Sequence, residues 1–342
     1  MPLLEVKDLT VHFKIRKGWV YAVDKVSFTL ERGEIMGLVG ESGCGKTTTG
    51  YAITQLLPYN AYIHKDSQII FDGVDLLKIG TRPDKHYEDY VRIVEYHPEI
   101  RKYRWKRISM IFQGAMNAFN PVYTIGDQII EAIKTHEPNV TDEEARKRVE
   151  KLYDMVGIPP DRIDNYPHEY SGGMKQRAMI AMALVLNPDL IIADEPTTAL
   201  DVISQDRILG EMNRLLRELK KAMILITHDI SVVAEMSDKM AVMYAGQLVE
   251  MGTTRQIFKE TSHPYTEGLI GSFPSIKGEK KRLQAIPGSP PDLSNPPKGC
   301  RFHPRCKYAR EICKEEEPPL VEIGPGHYSK CHFAEEIYGG GA

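Results

Sequence analysis

The segment Gly40–Thr47, with the sequence GESGCGKT, constrains the fold of this chain more than any other feature. It fits the pattern G-x-x-x-x-G-K-[ST], and it lies between the apolar run Ile35–Val39 and a helical pattern over Thr47–Leu57. A glycine-rich turn between a strand and a helix points successive N–H groups inward, and the helix N-terminus adds positive potential. The sequence therefore predicts a phosphate-binding loop, in which Lys46 contacts the β- and γ-phosphates of a nucleotide and the Thr47 hydroxyl binds Mg²⁺.

A second apolar strand ends in two acidic residues. The run Leu190–Ala193 is followed by Asp194 and Glu195, which places both carboxylates at the carboxyl end of the strand. At that edge of a parallel sheet an Asp can hold Mg²⁺ through water, and a neighbouring carboxylate can orient an attacking water. Because phosphoryl transfer to water needs little beyond neutralised phosphate charge and a positioned water, the loop and the acidic pair together predict nucleoside triphosphate hydrolysis.

Apolar strands alternate with helices through much of the remaining chain. The pattern near the N-terminus predicts two half-exposed antiparallel strands, Leu4–Phe13 and Val20–Leu30. Further along, it predicts strands over Ile108–Phe112 and Ala222–Thr227 and helices over Thr141–Val156, Ser171–Leu186 and Ser204–Lys221. Such alternation is typical of an α/β fold with a mostly parallel sheet.

The composition excludes several classes of protein. Of the 342 residues, 42% are hydrophobic and 27% are charged, so disordered and fibrous architectures are excluded. A net charge of -3 argues against a chain dominated by nucleic-acid binding. The N-terminus has no basic segment followed by an apolar core, and the most apolar stretch, Ala178–Ala193, is interrupted by Asn187-Pro188-Asp189. We therefore expect a cytoplasmic protein.

The segment Tyr170–Arg177, YSGGMKQR, lies upstream of the acidic strand. Its Ser and two Gly stand at a predicted helix start, where hydroxyl and N–H groups can bind phosphate. In its order and spacing relative to the other two motifs, it resembles the signature of ATP-binding-cassette (ABC) ATPases. The resemblance covers residues 3–258 and implies a P-loop NTPase fold. Residues 1–258 would form an ABC nucleotide-binding domain with an antiparallel β subdomain and a helical subdomain over about 114–170.

The same resemblance implies roles for individual residues. Gln113 would contact Mg²⁺ and the attacking water, His228 the γ-phosphate, and Phe13 the adenine ring. Asp201, in TALD, would lie in the loop that crosses a dimer interface. The catalytic residues implied are Glu195, His228 and Gln113. The implied Mg²⁺ ligands are Thr47, Gln113 and Asp194. The residues implied to bind ATP are Phe13, Gly40, Glu41, Ser42, Gly43, Cys44, Gly45, Lys46, Thr47 and Thr48. The signature residues, implied to contact the ATP of another chain, are Ser171, Gly172, Gly173 and Met174.

In the resembled family one chain gives the phosphate-binding loop of each ATP site and another gives the signature. The resemblance therefore implies a second, homologous or identical ATPase subunit in a head-to-tail dimer. It also implies two transmembrane permease subunits, an extracytoplasmic solute-binding protein acting indirectly, and no nucleic acid. The segment Asn117–Ile129 would contact a permease. These partners imply a peripheral location on the cytoplasmic face of the cell membrane.

After about Phe258 prolines cluster, and residues 259–342 are expected to form a small, irregular, Pro-rich domain. Met174, where the signature usually has Gln, points to one branch of the family. Three tail segments resemble the C-terminal extension of dipeptide and oligopeptide transport ATPases: His263–Thr266, Ala285–Pro291 and Gly299–Cys306. The resemblance implies import of di- or oligopeptides. Oligosaccharides stay an alternative, because some members of the branch carry them.

Four cysteines lie in this tail, Cys300, Cys306, Cys313 and Cys331, with the spacing C-x5-C-x6-C-x17-C. In a reducing cytosol such a group is more typical of a metal site than of disulfides. The intervals match no common zinc knuckle, and four thiolates suit an iron–sulfur cluster. The resemblance implies a [4Fe–4S] cluster with a structural role. Zinc, with His303 or His332 as a substitute ligand, and unliganded thiols remain open. Cys44 is interpreted as a small loop residue.

Two other classes of function compete with a transport ATPase. One is a soluble, non-transport ABC ATPase, which the single cassette and the Pro/Cys tail disfavour. The other is a P-loop kinase or GTPase, which would leave Ser171–Gly173, Asp201 and His228 without a role. A polar insertion around Thr81–Trp105 is longer than the resembled branch leads us to expect, and the sequence assigns it no function.

Overall fold

The computed structural model describes residues 1–94, 97–114, 118–197, 201–272 and 286–338. It divides into two compact units. Unit 1 comprises Met1–Glu31, Ile35–Glu95 and Ile226–Ala342, and unit 2 comprises Arg32–Glu34 and Tyr96–Leu225.

The regular elements are numbered in chain order. The strands are β1 (Leu4–Ile15), β2 (Gly18–Leu30), β3 (Ile35–Val39), β4 (Ala61–His64), β5 (Gln68–Phe71), β6 (Val74–Asp75), β7 (Thr81–Pro83), β8 (Tyr90–Ile93), β9 (Ile108–Ile111), β10 (Leu190–Asp194), β11 (Ala222–Thr227), β12 (Lys239–Tyr244), β13 (Gln247–Thr253), β14 (Val321–Gly324) and β15 (His327–Ser329). The α-helices are α1 (Lys46–Ile53), α2 (Leu76–Gly80), α3 (Pro98–Arg101), α4 (Ile125–His136), α5 (Asp142–Met155), α6 (Gly172–Leu184), α7 (Val202–Glu218), α8 (Ile230–Met236), α9 (Thr254–Lys259), α10 (Pro264–Gly271), α11 (Glu311–Glu315) and α12 (Ala334–Tyr338).

Unit 1 contains the antiparallel sheet that the alternating N-terminal sequence predicts. Strands β1 and β2 pair along their whole length, from Leu4 opposite Leu30 to Ile15 opposite Gly18. The strand order is β6-β5-β1-β4-β8-β7, and β2 lies on the free side of β1. The prediction of two antiparallel strands is therefore confirmed.

The insertion around Thr81–Trp105 supplies part of this sheet. Its strands β7 and β8 form an antiparallel pair, and β8 pairs with β4. The ring of Tyr90, on β8, stacks on Trp19 with 5.4 Å between the ring centroids. Its hydroxyl lies 2.8 Å from His12 Nδ1. Residues 95–96 of the insertion lie outside the described residues. The first half of the insertion therefore packs aromatic side chains onto the antiparallel sheet.

Unit 1 also contains the strand that carries the phosphate-binding loop. All five residues of β3 are buried, and β3 pairs in parallel with β12. At Gly37 a Cβ atom would lie 2.2 Å from Cγ1 of Val233, so α8 packs against β3 at a distance that glycine alone permits. Beyond β12 the order continues β13, β15 and β14, all antiparallel. The tail therefore adds strands to the edge of this sheet.

A buried carboxylate joins the tail to that sheet. Glu250, on β13, is fully buried. Its Oε1 accepts hydrogen bonds from the N–H and the hydroxyl of Ser262, both at 2.8 Å, and lies 2.9 Å from Nε2 of His327 on β15. Its Oε2 accepts a hydrogen bond from the N–H of His263 at 3.1 Å. Each oxygen of the carboxylate is therefore satisfied by groups that follow it in the chain.

Unit 2 contains β9 and β10 as a parallel pair, with β11 next to β10 in the strand order. Helix α5 begins at the predicted capping box, because Thr141 Oγ1 accepts from the N–H of Glu144 and the Glu144 carboxylate accepts from the N–H of Thr141. The hydroxyl of Tyr153, on α5, lies 3.1 Å from that of Tyr170, just before α6. The alternation of strands and helices in this unit confirms the α/β prediction.

Helices α1 and α7 end several residues before their predicted ends. Helix α1 ends at Ile53 rather than Leu57, because Gln55 has a positive φ of 55° and its side-chain amide donates to the carbonyl of Leu76. Helix α7 ends at Glu218 rather than Lys221. None of the helices in the described part of the chain combines the length and the apolar character needed to cross a bilayer.

Candidate nucleotide-binding site

Two glycines let the phosphate-binding loop between β3 and α1 approach its neighbours. Gly40 has a φ of 150°, and a Cβ there would lie 2.1 Å from the carbonyl oxygen of Met243. Gly45 has a φ of 103°, and a Cβ there would lie 2.3 Å from the carbonyl oxygen of Ala22. Side chains at these two positions would clash with backbone, so the loop conformation depends on glycine.

Lys46 lies inside the loop, with 6% of its surface exposed. Its Nζ donates to the carbonyl oxygens of Gly40 at 2.7 Å and Glu41 at 3.0 Å. The neighbouring Cys44 is also buried, and burial raises the pKa of its thiol. The carbonyl of Cys44 accepts from the N–H of Gly246 at 3.0 Å. The ammonium group of Lys46 is thus held where a bound phosphate would meet it.

Residues of the tail contact the same loop. The N–H of Glu41 donates to the hydroxyl of Tyr265, on α10, at 2.9 Å. The Glu41 carboxylate accepts two hydrogen bonds from the guanidinium of Arg305, at 2.6 and 3.0 Å. The sequence motif includes Glu41 in the loop and gives no role to Tyr265 or Arg305. The acidic side chain of Glu41 is the one feature of the sequence that could have indicated a basic partner, because a phosphate-binding loop does not itself require an acidic residue there.

In unit 2 the predicted catalytic carboxylate meets the predicted glutamine. The side-chain amide of Gln113, just after β9, donates to Glu195 Oε2 at 2.8 Å. Both side chains follow the carboxyl ends of the parallel strands β9 and β10. Asp194, the last residue of β10, is buried, whereas Glu195 is partly exposed. Glu195 has a φ of 45°, a conformation that few residues other than glycine adopt and that is enriched at functional sites.

The signature residues lie at the start of α6 and line a cavity of about 480 Å³ within unit 2. Ser171 caps the helix, because its Oγ accepts from the N–H of Met174 at 3.3 Å. Asp201 lines the same cavity and caps α7 by accepting from the N–H of Ser204 at 3.0 Å. The hydrogen bonds from Ser204 hold the pKa of the Asp201 carboxyl below its usual value. Two helix N-termini and exposed polar groups therefore line one cavity, beside the carboxylate of Asp201.

The other predicted residues lie in unit 1. His228 is exposed and directly follows β11. Phe13 is half-buried on β1, opposite Val20 and Ala61. Ser42 and Gly43 are exposed at the loop tip, and Thr47 and Thr48 are half-buried in the first turn of α1. Thr198, Ala199 and Leu200 of the TALD segment, Asn117 of the permease-contact segment and Ala285 of the tail lie outside the described residues.

The four tail cysteines line one small cavity of about 20 Å³ together with His303 and His332. All four are free thiols. Burial raises the pKa of Cys300 to about 12 and that of Cys331 to about 11, and it raises the pKa of Cys306 as well.

The thiols have thus come together, as their crowding in the sequence suggests. However, within the described ranges no set of three or more His, Cys, Asp or Glu side chains is arranged to hold a metal ion. The predicted [4Fe–4S] cluster and its zinc alternative therefore stay predictions.

Comparison with known proteins matches two family models to this chain. Residues 23–198 match the ABC transporter family, and residues 249–313 match the family described as the oligopeptide/dipeptide transporter C-terminal region. The second match covers the tail helix α10 and three of the four tail cysteines.

Similar proteins cover nearly the whole chain. The oligopeptide transport ATP-binding protein OppD of Bacillus subtilis is 46% identical over 96% of this chain and 88% of its own length. The dipeptide transport ATP-binding protein DppD of Haemophilus influenzae is 43% identical over 97% of this chain and 96% of its own length. Among solved structures, the dimeric post-hydrolysis state of the ATP-binding cassette MJ0796 bound to ADP and Pi is 25% identical, with a TM-score of 0.60, over 74% of this chain and 99% of that one. This chain therefore belongs to the ABC transporter family and carries the C-terminal region of its oligopeptide and dipeptide transporters.

Proposed function

We propose that this chain is the ATP-hydrolysing subunit of an ABC importer for di- or oligopeptides. The observation that carries the proposal is the near full-length similarity to peptide transport ATP-binding proteins, including the tail that follows the cassette. The same similarity favours peptides over oligosaccharides as cargo and a transport ATPase over a soluble, non-transport one.

Hydrolysis would use the residues that the family resemblance assigns to it. Lys46 and the N–H groups of the loop would bind the phosphates, with Phe13 against adenine. Thr47, Gln113 and Asp194 would hold Mg²⁺, which would neutralise phosphate charge when bound. Glu195 would accept a hydrogen bond from the attacking water and align it. His228 would contact the γ-phosphate. Support comes from the Gln113–Glu195 hydrogen bond and from the internal position of Lys46.

The signature cavity in unit 2 would bind the ATP held by another subunit. Its polar helix N-termini suit the γ-phosphate, and Asp201 beside it would lie at the interface. We propose a head-to-tail dimer with a second, homologous or identical ATPase subunit. ATP would close the dimer, and hydrolysis would let it reopen.

The importer would include two transmembrane permease subunits, with a solute-binding protein delivering the peptide from outside. This chain would then lie peripherally on the cytoplasmic face of the cell membrane. Residues 1–258 would act as the nucleotide-binding domain, with the segment Asn117–Ile129 at the permease. The exposed side chains of Val122 and Tyr123 in that segment, at 68% and 57%, support such a contact.

For the tail, residues 259–342, we propose a metal site held by the four cysteines. A [4Fe–4S] cluster is the preferred occupant and zinc is the alternative. Buried thiols with raised pKa values ionise at neutral pH when a cation compensates their charge, and four such thiols already line one cavity. The metal would join the segments that carry the cysteines, which fits a structural role.

Purification of the chain with its complex from native membranes, followed by reconstitution into liposomes, tests the importer proposal. We expect two permease subunits to co-purify. Labelled peptide should accumulate inside liposomes that enclose ATP and have the ATPase subunits on their inner face. A complex carrying Glu195→Gln is the matched control and should not accumulate peptide. ATPase activity with soluble partners and no permease would contradict the proposal, and uptake of oligosaccharide instead of peptide would contradict its cargo.

A further inference from the structure

We propose that Arg305 is a positioning residue of the ATP site, which holds the phosphate-binding loop in its ligand-binding shape through Glu41. This inference rests on the proposed function, because it assumes that the loop binds ATP. It assigns to the tail a part in nucleotide binding that is separate from any metal held by the cysteines.

Glu41 is fixed at three points, one for each of its polar groups. Its N–H donates to the hydroxyl of Tyr265, its carbonyl oxygen accepts from Nζ of Lys46, and its carboxylate accepts both hydrogen bonds from Arg305. The peptide units on both sides of Glu41 therefore have defined orientations. Because the loop binds phosphate with backbone N–H groups, the orientation of those units decides how well it binds.

Arg305 is in turn held firmly. It is 8% exposed, its Nε donates to the carbonyl of Pro287 at 2.7 Å, and its Nη1 lies 3.3 Å from the hydroxyl of Tyr244. The bidentate contact with Glu41 uses the planar geometry that distinguishes arginine from lysine. An arginine with this many fixed partners acts as a rigid support.

A second arginine of the same tail segment reaches the other side of the loop. Arg301 donates to the carbonyl of Ala245 and to the carboxylate of Asp24. The N–H of the next residue, Gly246, donates to the carbonyl of Cys44 at 3.0 Å. The segment from Cys300 to Cys306 thus braces the loop directly through Arg305 and indirectly through Arg301.

The expected consequence is preorganisation of the loop. When Lys46 donates to phosphate oxygens instead of loop carbonyls, Glu41 keeps the contacts from Arg305 and Tyr265 and the hydrogen bond from the N–H of Cys44 to its carbonyl. A loop already held in shape binds phosphate without a further ordering cost. Loss of Arg305 should therefore weaken nucleotide affinity and leave the chemical step of bound ATP nearly unchanged.

The test compares full-length chains carrying Arg305→Ala, Arg305→Lys and Glu41→Gln with the unsubstituted chain. The Kd of MgADP is measured by calorimetry, and KM and kcat are measured for ATP. We expect Arg305→Ala to raise Kd and KM about tenfold and to leave kcat within about threefold of the unsubstituted chain. A tenfold change in affinity is the size expected when one contact that preorganises the site is lost. Arg305→Lys should restore part of the affinity, and Glu41→Gln combined with Arg305→Ala should be no weaker than Arg305→Ala alone.

Lys307→Ala is the matched control, since Lys307 lies in the same tail and pairs with the partly exposed Glu267 at 2.7 Å. Its affinity should equal that of the unsubstituted chain. Lowered thermal stability of Arg305→Ala with an unchanged Kd would overturn the inference, since that result describes a structural support alone. If Arg305→Ala does not fold, Glu41→Gln decides the question by the same measurement.

Failure of the proposed function would give different binding results. If the unsubstituted chain binds no MgADP, or if Lys46→Ala binds it equally well, the loop is not a nucleotide site. If Lys46→Ala loses affinity and neither Arg305→Ala nor Glu41→Gln does, the loop assignment stands and the role of Arg305 is wrong.

Discussion

Gln113 and Glu195, which lie 82 residues apart in the sequence, share a hydrogen bond of 2.8 Å from the Gln113 amide to the Glu195 carboxylate. The bond joins the ends of two adjacent parallel strands. It orients the carboxylate at a residue whose backbone already has an uncommon positive φ. A carboxylate constrained both by its backbone and by a neighbouring amide suits the alignment of a water molecule.

Glu195→Gln should reduce ATP hydrolysis by at least about a hundredfold and change ATP affinity little. The amide keeps the shape of the side chain and can still contact Gln113, but it accepts a proton or a hydrogen bond from water far less well than a carboxylate. Steady-state ATPase rates and MgATP binding check this expectation.

Glu218→Gln is its control, because that carboxylate is exposed and lies at the end of α7 in the same unit. Both rates and affinities should be unchanged there. If Glu195→Gln retained near-normal turnover, Glu195 would not be the residue that aligns water.

Anaerobically purified chain should contain iron and acid-labile sulfide at about four of each per chain if the tail holds a [4Fe–4S] cluster. Cys313→Ser should lower both, while Cys44→Ala, which removes the one cysteine outside the tail, should change neither. Stoichiometric zinc without sulfide would select the zinc alternative. Neither metal, with all thiols titrating in the denatured chain, would show that the cavity holds free thiols.

Glu250→Gln should destabilise the chain by about 2–4 kcal/mol. Its carboxylate accepts from two backbone N–H groups and a hydroxyl and faces His327, so an amide would place donors against donors in a fully buried site. The shift of the denaturation midpoint measures the effect. The exposed Glu315→Gln should stay within about 0.5 kcal/mol of the unsubstituted chain. An equally small change at Glu250 would show that the buried network contributes little to stability.

Stability should fall as pH is lowered from about 6.5 to 4, in part because of His12. Burial is the main cause that lowers the pKa of His12 to about 4. Between that value and the ordinary 6.5, the unfolded chain binds a proton that the folded chain does not, so acid favours unfolding. His12→Gln, which can still contact the Tyr90 hydroxyl, should lose about 2 kcal/mol less over this range. Denaturation midpoints at each pH check this, and parallel profiles would show that His12 titrates normally.

Local patterns in the sequence predicted several elements closely. The apolar runs of β3 and β11 have the same bounds in the sequence and in the structure, and the capping box at Thr141 begins α5 as expected. These features depend on burial of short apolar runs and on contacts three residues apart, which the sequence displays directly. The C-terminal end of α1 was not predicted correctly from the sequence, because it depends on the contact of Gln55 with the carbonyl of Leu76.

Local sequence patterns do not predict which distant residues contact each other. The pairing of Glu41 with Arg305 and the aromatic contacts of Tyr90 join segments whose local sequence does not identify the partner residue. The family resemblance implied that Gln113 and Glu195 act on the same attacking water. The assignments of His228, Phe13 and the signature residues depend on family resemblance and remain predictions.

Glu41 and Arg305 are 264 residues apart, which gives their contact a consequence for biosynthesis. At translation rates of about 5–20 residues per second, Arg305 is added roughly 13–50 s after Glu41. Throughout that interval the nascent cassette has its glycine-rich loop but lacks the arginine that braces it. If that arginine tunes affinity as inferred, a partly translated cassette binds nucleotide weakly, and full affinity is reached when the C-terminal segment leaves the ribosome and docks.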